Sequence, residues 1–261
     1  MPQMDAAYRR RDRAESFGSV ADLYDRYRPS YPDELVDDLV VLAGGGPVLD
    51  IGTGTGKAAR LLAARGIDVL GVEVDVLMAE VARRHGLAVE VGSFEAWGDR
   101  GRRFRLVTSA QAWHWVDPRL GAPKVARALE PGGAFTPFWN FEEIGDAERD
   151  AASEAYREFA PELLPVNAGA GGSDKPQERP YVRDLRAADA FASIETRTYR
   201  WQKSYPVEHW VNRVATHSDH IALGPERLAR LQEALGRALS AVGPEVHACG
   251  GTYLILARAG G

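Results

Sequence analysis

Residues 48–57 read VLDIGTGTGK. Apolar residues surround one acid, Asp50, and glycine then stands at positions 52, 54 and 56. Glycine at that density marks a backbone that something must approach closely. Two phosphate-binding loops fail on spacing. The dinucleotide pattern G-x-G-x-x-G needs its third glycine where Lys57 stands. A P-loop needs four residues between its first glycine and GK[ST], and Lys57 is followed by Ala58, which has no hydroxyl for a metal ion.

The flanking chain alternates between two periodicities. Residues 32–43 carry apolar side chains at helical spacing (Leu35, Val36, Leu39, Val40) and stop at the triple glycine 44–46. Residues 47–51 then read as a buried strand, 56–66 as a helix and 68–74 as a second strand. A helix over 75–86 has Asp75 as its N-cap and Gly86 as its stop. Strands follow at 87–92 and 104–110, a helix over 118–133 and a strand at 133–139. Short strands alternating with helices predict an α/β fold, a doubly wound and mostly parallel sheet, with its ligand site at the carboxyl ends of the strands.

After Asn140 the pattern changes. Residues 142–163 read as a charged amphipathic helix, 167–180 as a glycine- and proline-rich loop and 193–205 as an alternating strand. A short helix over 206–217, a long amphipathic one over 226–243 and a closing strand over 251–259 complete the chain. This divides it into an N-terminal cap segment (1–31), a core (32–140), a cap insertion with a sixth strand (141–215) and a C-terminal helix with the closing strand (216–261).

The 261 residues are ample for a substantial core. Net charge is -5, so the electrostatic footprint of a nucleic-acid or anionic-membrane binder is missing. The basic run 8–13, YRRRDR, is soon offset by acids and reads as a solvated terminus. The lone cysteine, Cys249, excludes an internal disulfide. The opening residues hold no apolar signal-peptide core, and no apolar run is long enough to span a bilayer. These features set the expectation of a cytoplasmic location, without a nucleic-acid or membrane partner. They leave the oligomeric state open.

The pattern that VLDIGTGTGK does fit is [D/E]-x-G-x-G-x-G, which resembles the first motif of class I S-adenosylmethionine-dependent methyltransferases. The second strand ends in GVEVD, residues 71–75, where a carboxylate can accept both hydroxyls of a ribose. Residues 104–118, FRLVTSAQAWHWVDP, are similar to the "fDlv-s-qa-HW-d" segment of a small-molecule subgroup that includes trans-aconitate methyltransferase-like proteins. LEPGGAF at 129–135 and FGSVADLYDRYRPSYPDEL at 17–35 match the same subgroup. The likeness runs from Phe17 to Phe138 and continues only in outline beyond. Arg105 departs from it, standing where the family usually has Asp, at the start of the strand and away from the expected site.

The resemblance implies a seven-stranded sheet with the last strand antiparallel, a helical cap, and S-adenosylmethionine as cofactor. Asp50, Gly52, Thr53, Gly54 and Gly56 would shape the loop around the methionine end, with Arg28 on its carboxylate. Glu73 would take the ribose. Val74, Met78, Ser93 and Phe94 would flank the adenine, with Ala110, Gln111 and Trp115 along the fourth-strand side. Tyr24, Tyr27, Trp113, Trp139 and His217 would bound a small-molecule acceptor. His114 is the candidate general base, against the alternative of a packed ring between two tryptophans. His217, Asp219 and His220 lack a regular zinc spacing, and no metal is expected. Two other readings stay open: a protein that binds the cofactor without turnover, and an NAD-dependent oxidoreductase.

Overall fold

The computed structural model describes residues 8, 17–164 and 180–260. The basic run after Tyr8, and the loop expected at 167–180 except for Pro180, lie outside the described residues. Seven strands form one sheet: β1 (Val48–Ile51), β2 (Val69–Glu73), β3 (Ala88–Val91), β4 (Phe104–Ala110), β5 (Leu129–Ile144), β6 (Ser193–Pro206) and β7 (Glu245–Arg258). Their order is β3-β2-β1-β4-β5-β7-β6. β1 to β5 run parallel, and β7 inserts antiparallel to both β5 and β6. The doubly wound, mostly parallel sheet with an antiparallel last strand is thus the fold expected from the sequence.

Helices α1 (Ala21–Tyr27), α2 (Asp33–Ala43), α3 (Ala59–Ala63), α4 (Val76–Arg84), α5 (Pro118–Ala128), α6 (Asp146–Phe159), α7 (Pro180–Ala187), α8 (Val207–Val214), α9 (Ser218–Ile221) and α10 (Pro225–Val242) pack around it. Strand pleating sends alternate residues to opposite faces. Val48, Leu106, Ala134 and Leu254 pack with Leu35 and Leu39 of α2 and Leu62 of α3. Leu49, Val107, Phe135 and Ile255 pack with Val125 of α5 and Leu185 of α7. The central strands are therefore apolar on both faces, as a covered parallel sheet requires.

Two elements outrun the sequence reading. β5 continues through Asn140 to Ile144, and β7 begins at Glu245. Beyond Phe138, the last partner of β4, β5 pairs with β7 alone. The two strands project as a platform, and its end carries Ile144, Val246 and Ala248 into a separate core with Ala152 and Tyr156 of α6, Trp210 of α8 and Leu231 and Leu235 of α10. The charged helix accordingly starts at Asp146, four residues after the sequence expectation of 142. The departing β5 leaves space beside the end of β4, which is where the cavity opens.

Arg105 lies at the far end of β4 from Ala110, its amide donating to Pro47 O at 3.0 Å. At the other end of the sheet, Asp75 caps α4 as expected, accepting from the amides of Leu77 (2.9 Å) and Met78 (3.2 Å). It also accepts from the amide of Gly18 at 2.7 Å, which ties down the N-terminal segment. A Cβ at Gly18 would fall 2.5 Å from the same carboxylate. Loss of the cap in Asp75→Ala is expected to cost about 1–2 kcal/mol in urea unfolding. Hydrogen exchange over residues 17–28 should quicken in the same variant, and an unchanged rate would place the anchor elsewhere.

Candidate active site

A cavity of about 350 Å³ opens at the carboxyl ends of β1, β2 and β4. It lies at the switch point, where the winding reverses between β1 and β4. A smaller chamber of about 40 Å³ adjoins it across the glycine turn, and Tyr24, Arg28, Gly52, Gly54, Ala110 and Gln111 line both.

The glycine turn is held from below. Asp50 is fully buried, and its carboxylate accepts from the hydroxyls of Thr53 and Thr108, both at 2.7 Å. Burial raises its pKa, opposed by those two hydroxyls. Asp50 reaches neither chamber, so any effect on a ligand passes through the loop. Gly52 has φ +66°, and a Cβ there would sit 2.4 Å from that of Ala112. Its missing side chain admits the loop after β4. Gly56 faces Leu87 and Ala82 and lies on neither wall. Gly56 thus serves protein packing alone, whereas Gly52 makes room for Ala112 and also lines both chambers. The middle one, Gly54, presents its amide to Glu73.

Glu73 is the charged centre of the site. One carboxylate oxygen accepts from the Gly54 amide at 2.7 Å and the other from the Asp75 amide at 2.9 Å. The Val74 amide also acts on the carboxylate, and Glu73 lines the cavity. Burial raises its pKa to about 7, against the pull of those amides.

Val74, Met78, Ser93 and Phe94 line the cavity beyond Glu73, and Gly92 and Glu95 join them. Residues 94–96 form a turn. Glu95 accepts the Asp117 amide at 3.1 Å, bracing the loop that carries the tryptophans. Gln111 has φ +59°, a region rare for a side-chain-bearing residue, and it sits at the mouth of both chambers.

The N-terminal segment closes the site. Tyr24 and Phe17 lie on the wall, with Phe17 edge-on to Tyr24 and to Trp115. Arg28 donates to Thr216 Oγ1 (2.8 Å) and to Thr216 O (2.9 Å), and its guanidinium lies over Tyr24. Among the described residues no carboxylate lies within ion-pair distance of it. The link from Arg28 to Thr216 spans 188 positions, and nothing local in the sequence signals it.

Besides Asp50 and Gly56, four more expected site residues lie off the main cavity. Thr53 borders only the smaller chamber. Tyr27 is buried edge-on against His209. Trp113 is 2% exposed and packs into the core on Phe135. Trp139 stands behind His114, stacked on Tyr181 at 4.5 Å. Neither Tyr27, Trp113 nor Trp139 reaches the wall, because the turn 113–115 points alternate rings in opposite directions and β5 faces its tryptophan toward α7.

His114 and His217 do reach the cavity. Burial lowers the His114 pKa to about 4. Burial, then the charges of Arg28 and Arg213, hold His217 well below its usual value. Both imidazoles are therefore neutral at pH 7. Asp219, also on the wall, holds His220 Nδ1 at 2.7 Å, and His220 Nε2 meets the Tyr156 hydroxyl at 2.7 Å. Among the described residues, no group of three His, Cys, Asp or Glu is placed to hold a metal ion.

Glu73 gives a pH test of this geometry. Its folded pKa stands above the ordinary carboxylate value, so the folded state holds a proton that the unfolded chain has lost. The Glu73 contribution to the stability of the ligand-free protein should fall as pH rises from about 4.5 to 7, by up to about 3 kcal/mol, while His114 and His217, held neutral by burial, contribute in the opposite sense. The Glu73 slope is therefore read as the pH dependence of the difference between wild type and Glu73→Gln in urea titrations. A difference that does not change with pH would mean the carboxylate is better solvated than its position implies.

Residues 48–133 match the family model described as a methyltransferase domain. An uncharacterised methyltransferase of Mycobacterium tuberculosis is 43% identical over 136 residues, 50% of this chain and 54% of that protein. The chain thus spans about half the length of the curated relatives it matches. Among solved structures, a type II methyltransferase assignment from Anaeromyxobacter dehalogenans superimposes with a TM-score of 0.61 at 23% identity, covering 90% of this chain and 97% of that one. Phosphoethanolamine N-methyltransferase 2 of Haemonchus contortus, solved with S-adenosylhomocysteine, gives a TM-score of 0.54 at 17% identity, covering 96% and 59%. Residues 48–133 thus carry a methyltransferase-domain signature, within a sheet that has the Rossmann-like fold of the solved methyltransferases.

Proposed function

We propose that this chain is an S-adenosylmethionine-dependent methyltransferase acting on a small organic acceptor. The observation that carries the reading is the Glu73 carboxylate. It is buried at the end of β2, pinned by the amides of Gly54 and Asp75, and lines the cavity. That arrangement suits two vicinal hydroxyls of a ribose.

The rest of the wall fits the same cofactor. Phe94, Met78 and Val74 offer an apolar slot for a flat base beyond Glu73. On the other side Arg28, which has no carboxylate partner among the described residues, faces the two chambers together with the Gly52–Gly54 turn. It would take the carboxylate of the methionine end. When bound, the sulfonium supplies an activated methyl group, transferred by in-line displacement. The protein's part is to position the acceptor and exclude water. Phe17, Tyr24 and Trp115 do the second, closing the cavity with three aromatic rings. The net charge of -5 favours a small acceptor over nucleic acid. Among the described residues no helix is long and apolar enough to cross a membrane. The likeness of 104–118 to the trans-aconitate methyltransferase-like subgroup supports placing the chain there, and the single cysteine is in keeping with a cytoplasmic site of action.

Calorimetric titration tests the reading. S-adenosylmethionine and S-adenosylhomocysteine should both bind saturably, NADH should not, and Glu73→Ala should weaken both by roughly 2–4 kcal/mol. Binding of NADH alone would replace this function with hydride transfer. Binding without methyl transfer to any acceptor screened would favour a non-catalytic binder.

A further inference from the structure

The sequence reading left His114 between a candidate general base and a packed ring. The hydrogen bonding around its ring points to another role. Trp139 Nε1 lies 3.2 Å from His114 Nδ1. An indole nitrogen donates and never accepts, so Nδ1 must offer its lone pair there. In a neutral imidazole with Nδ1 accepting, the proton sits on Nε2. Nε2 has no partner among the described residues, and His114 lines the cavity while Trp139 does not.

Both partners of this bond are fixed from behind. Trp139 is clamped between Tyr181 (4.5 Å, 11° between planes) and Tyr253 (6.4 Å). His114 rides on the turn 113–115, whose first ring, Trp113, is buried on Phe135 at 4.6 Å. The stacking of Trp139 and the burial of Trp113 thus set where the indole N–H and the turn bearing His114 meet.

We infer that Trp139 is a positioning residue that locks His114 as the Nε2–H tautomer, and that this N–H donates into the cavity to an oxygen of the methyl acceptor. The inference rests on the methyltransferase reading for the identity of its ligand, but the tautomer is a property of the protein alone. His114 then takes up no proton at the nitrogen facing the acceptor. The acceptor arrives able to attack: its lone pair forms the bond to the methyl carbon, and the electron pair of the broken carbon–sulfur bond returns to sulfur. This favours an oxygen acceptor with a second lone pair for His114. A protonated amine, which would need a base, is disfavoured.

The test is a histidine-labelled nitrogen–proton correlation spectrum of the S-adenosylhomocysteine-loaded protein at pH 7, with the His114 signals assigned by their loss in His114→Gln. The expected result is the pure Nε2–H tautomer in the wild type, with acetate, as an oxygen probe, shifting the Nε2–H resonance. In Trp139→Phe the single tautomer should give way to a mixture. An Nδ1–H tautomer or an imidazolium in the wild type would overturn the proposal, as would an acetate titration that leaves the resonance unmoved. A pure Nε2–H tautomer persisting in Trp139→Phe would remove Trp139 from it. The wild-type spectra decide the tautomer even where the variant fails to fold. Failure of S-adenosylhomocysteine to bind would instead strike the cofactor reading, and the tautomer is then read on the ligand-free protein.

Discussion

One buried carboxylate ties the site together. Glu73 sits at the end of β2 with its two oxygens bonded to amides from different loops, Gly54 after β1 and Asp75 before α4. Burying a carboxylate is costly, and two backbone donors offset only part of that cost. The neighbouring Asp75 then caps α4 and holds Gly18. Through that chain of bonds one strand end fixes the glycine turn, a helix N-terminus and the segment that closes the cavity. The carboxylate is better understood as a site kept ready for donors from a ligand.

The second constraint is where β5 parts from β4. The two strands stay paired up to Ala110 and Phe138, and Gln111 then bonds its amide to Phe138 O at 2.8 Å from a left-handed conformation. The kink swings residues 112–116 across the cavity while β5 runs on with β7 toward the cap. His114 and Trp139, on the diverging segments, meet across the gap. The strain at Gln111 thus belongs to the geometry that makes the cavity.

The core was legible in the sequence because its signals are local. The short apolar strands, the Asp75 cap and the glycine stops all declare themselves within a few residues, and β1 to β4 lie where they predict. Glu73, too, was readable from its place at a strand end. What stayed hidden depends on partners far apart in the chain. Arg28 is set by Thr216, Gly18 by Asp75, and the orientation of Trp113 by Phe135. Sequence motifs state that two tryptophans flank His114 but not which one faces inward. Nor could they reveal that Gly56 makes room for Leu87 instead of for a ligand. The same limit hid the extension of β5 past Asn140, since its edge is satisfied only by β7, more than a hundred residues later.

The most direct measurement is a crystal structure of the complex with S-adenosylhomocysteine. The account predicts both ribose hydroxyls on the Glu73 carboxylate, the amino-acid carboxylate on the Arg28 guanidinium, and the sulfur facing the space beside His114 Nε2. A ligand bound elsewhere, or in this cavity with Glu73 untouched, would contradict it.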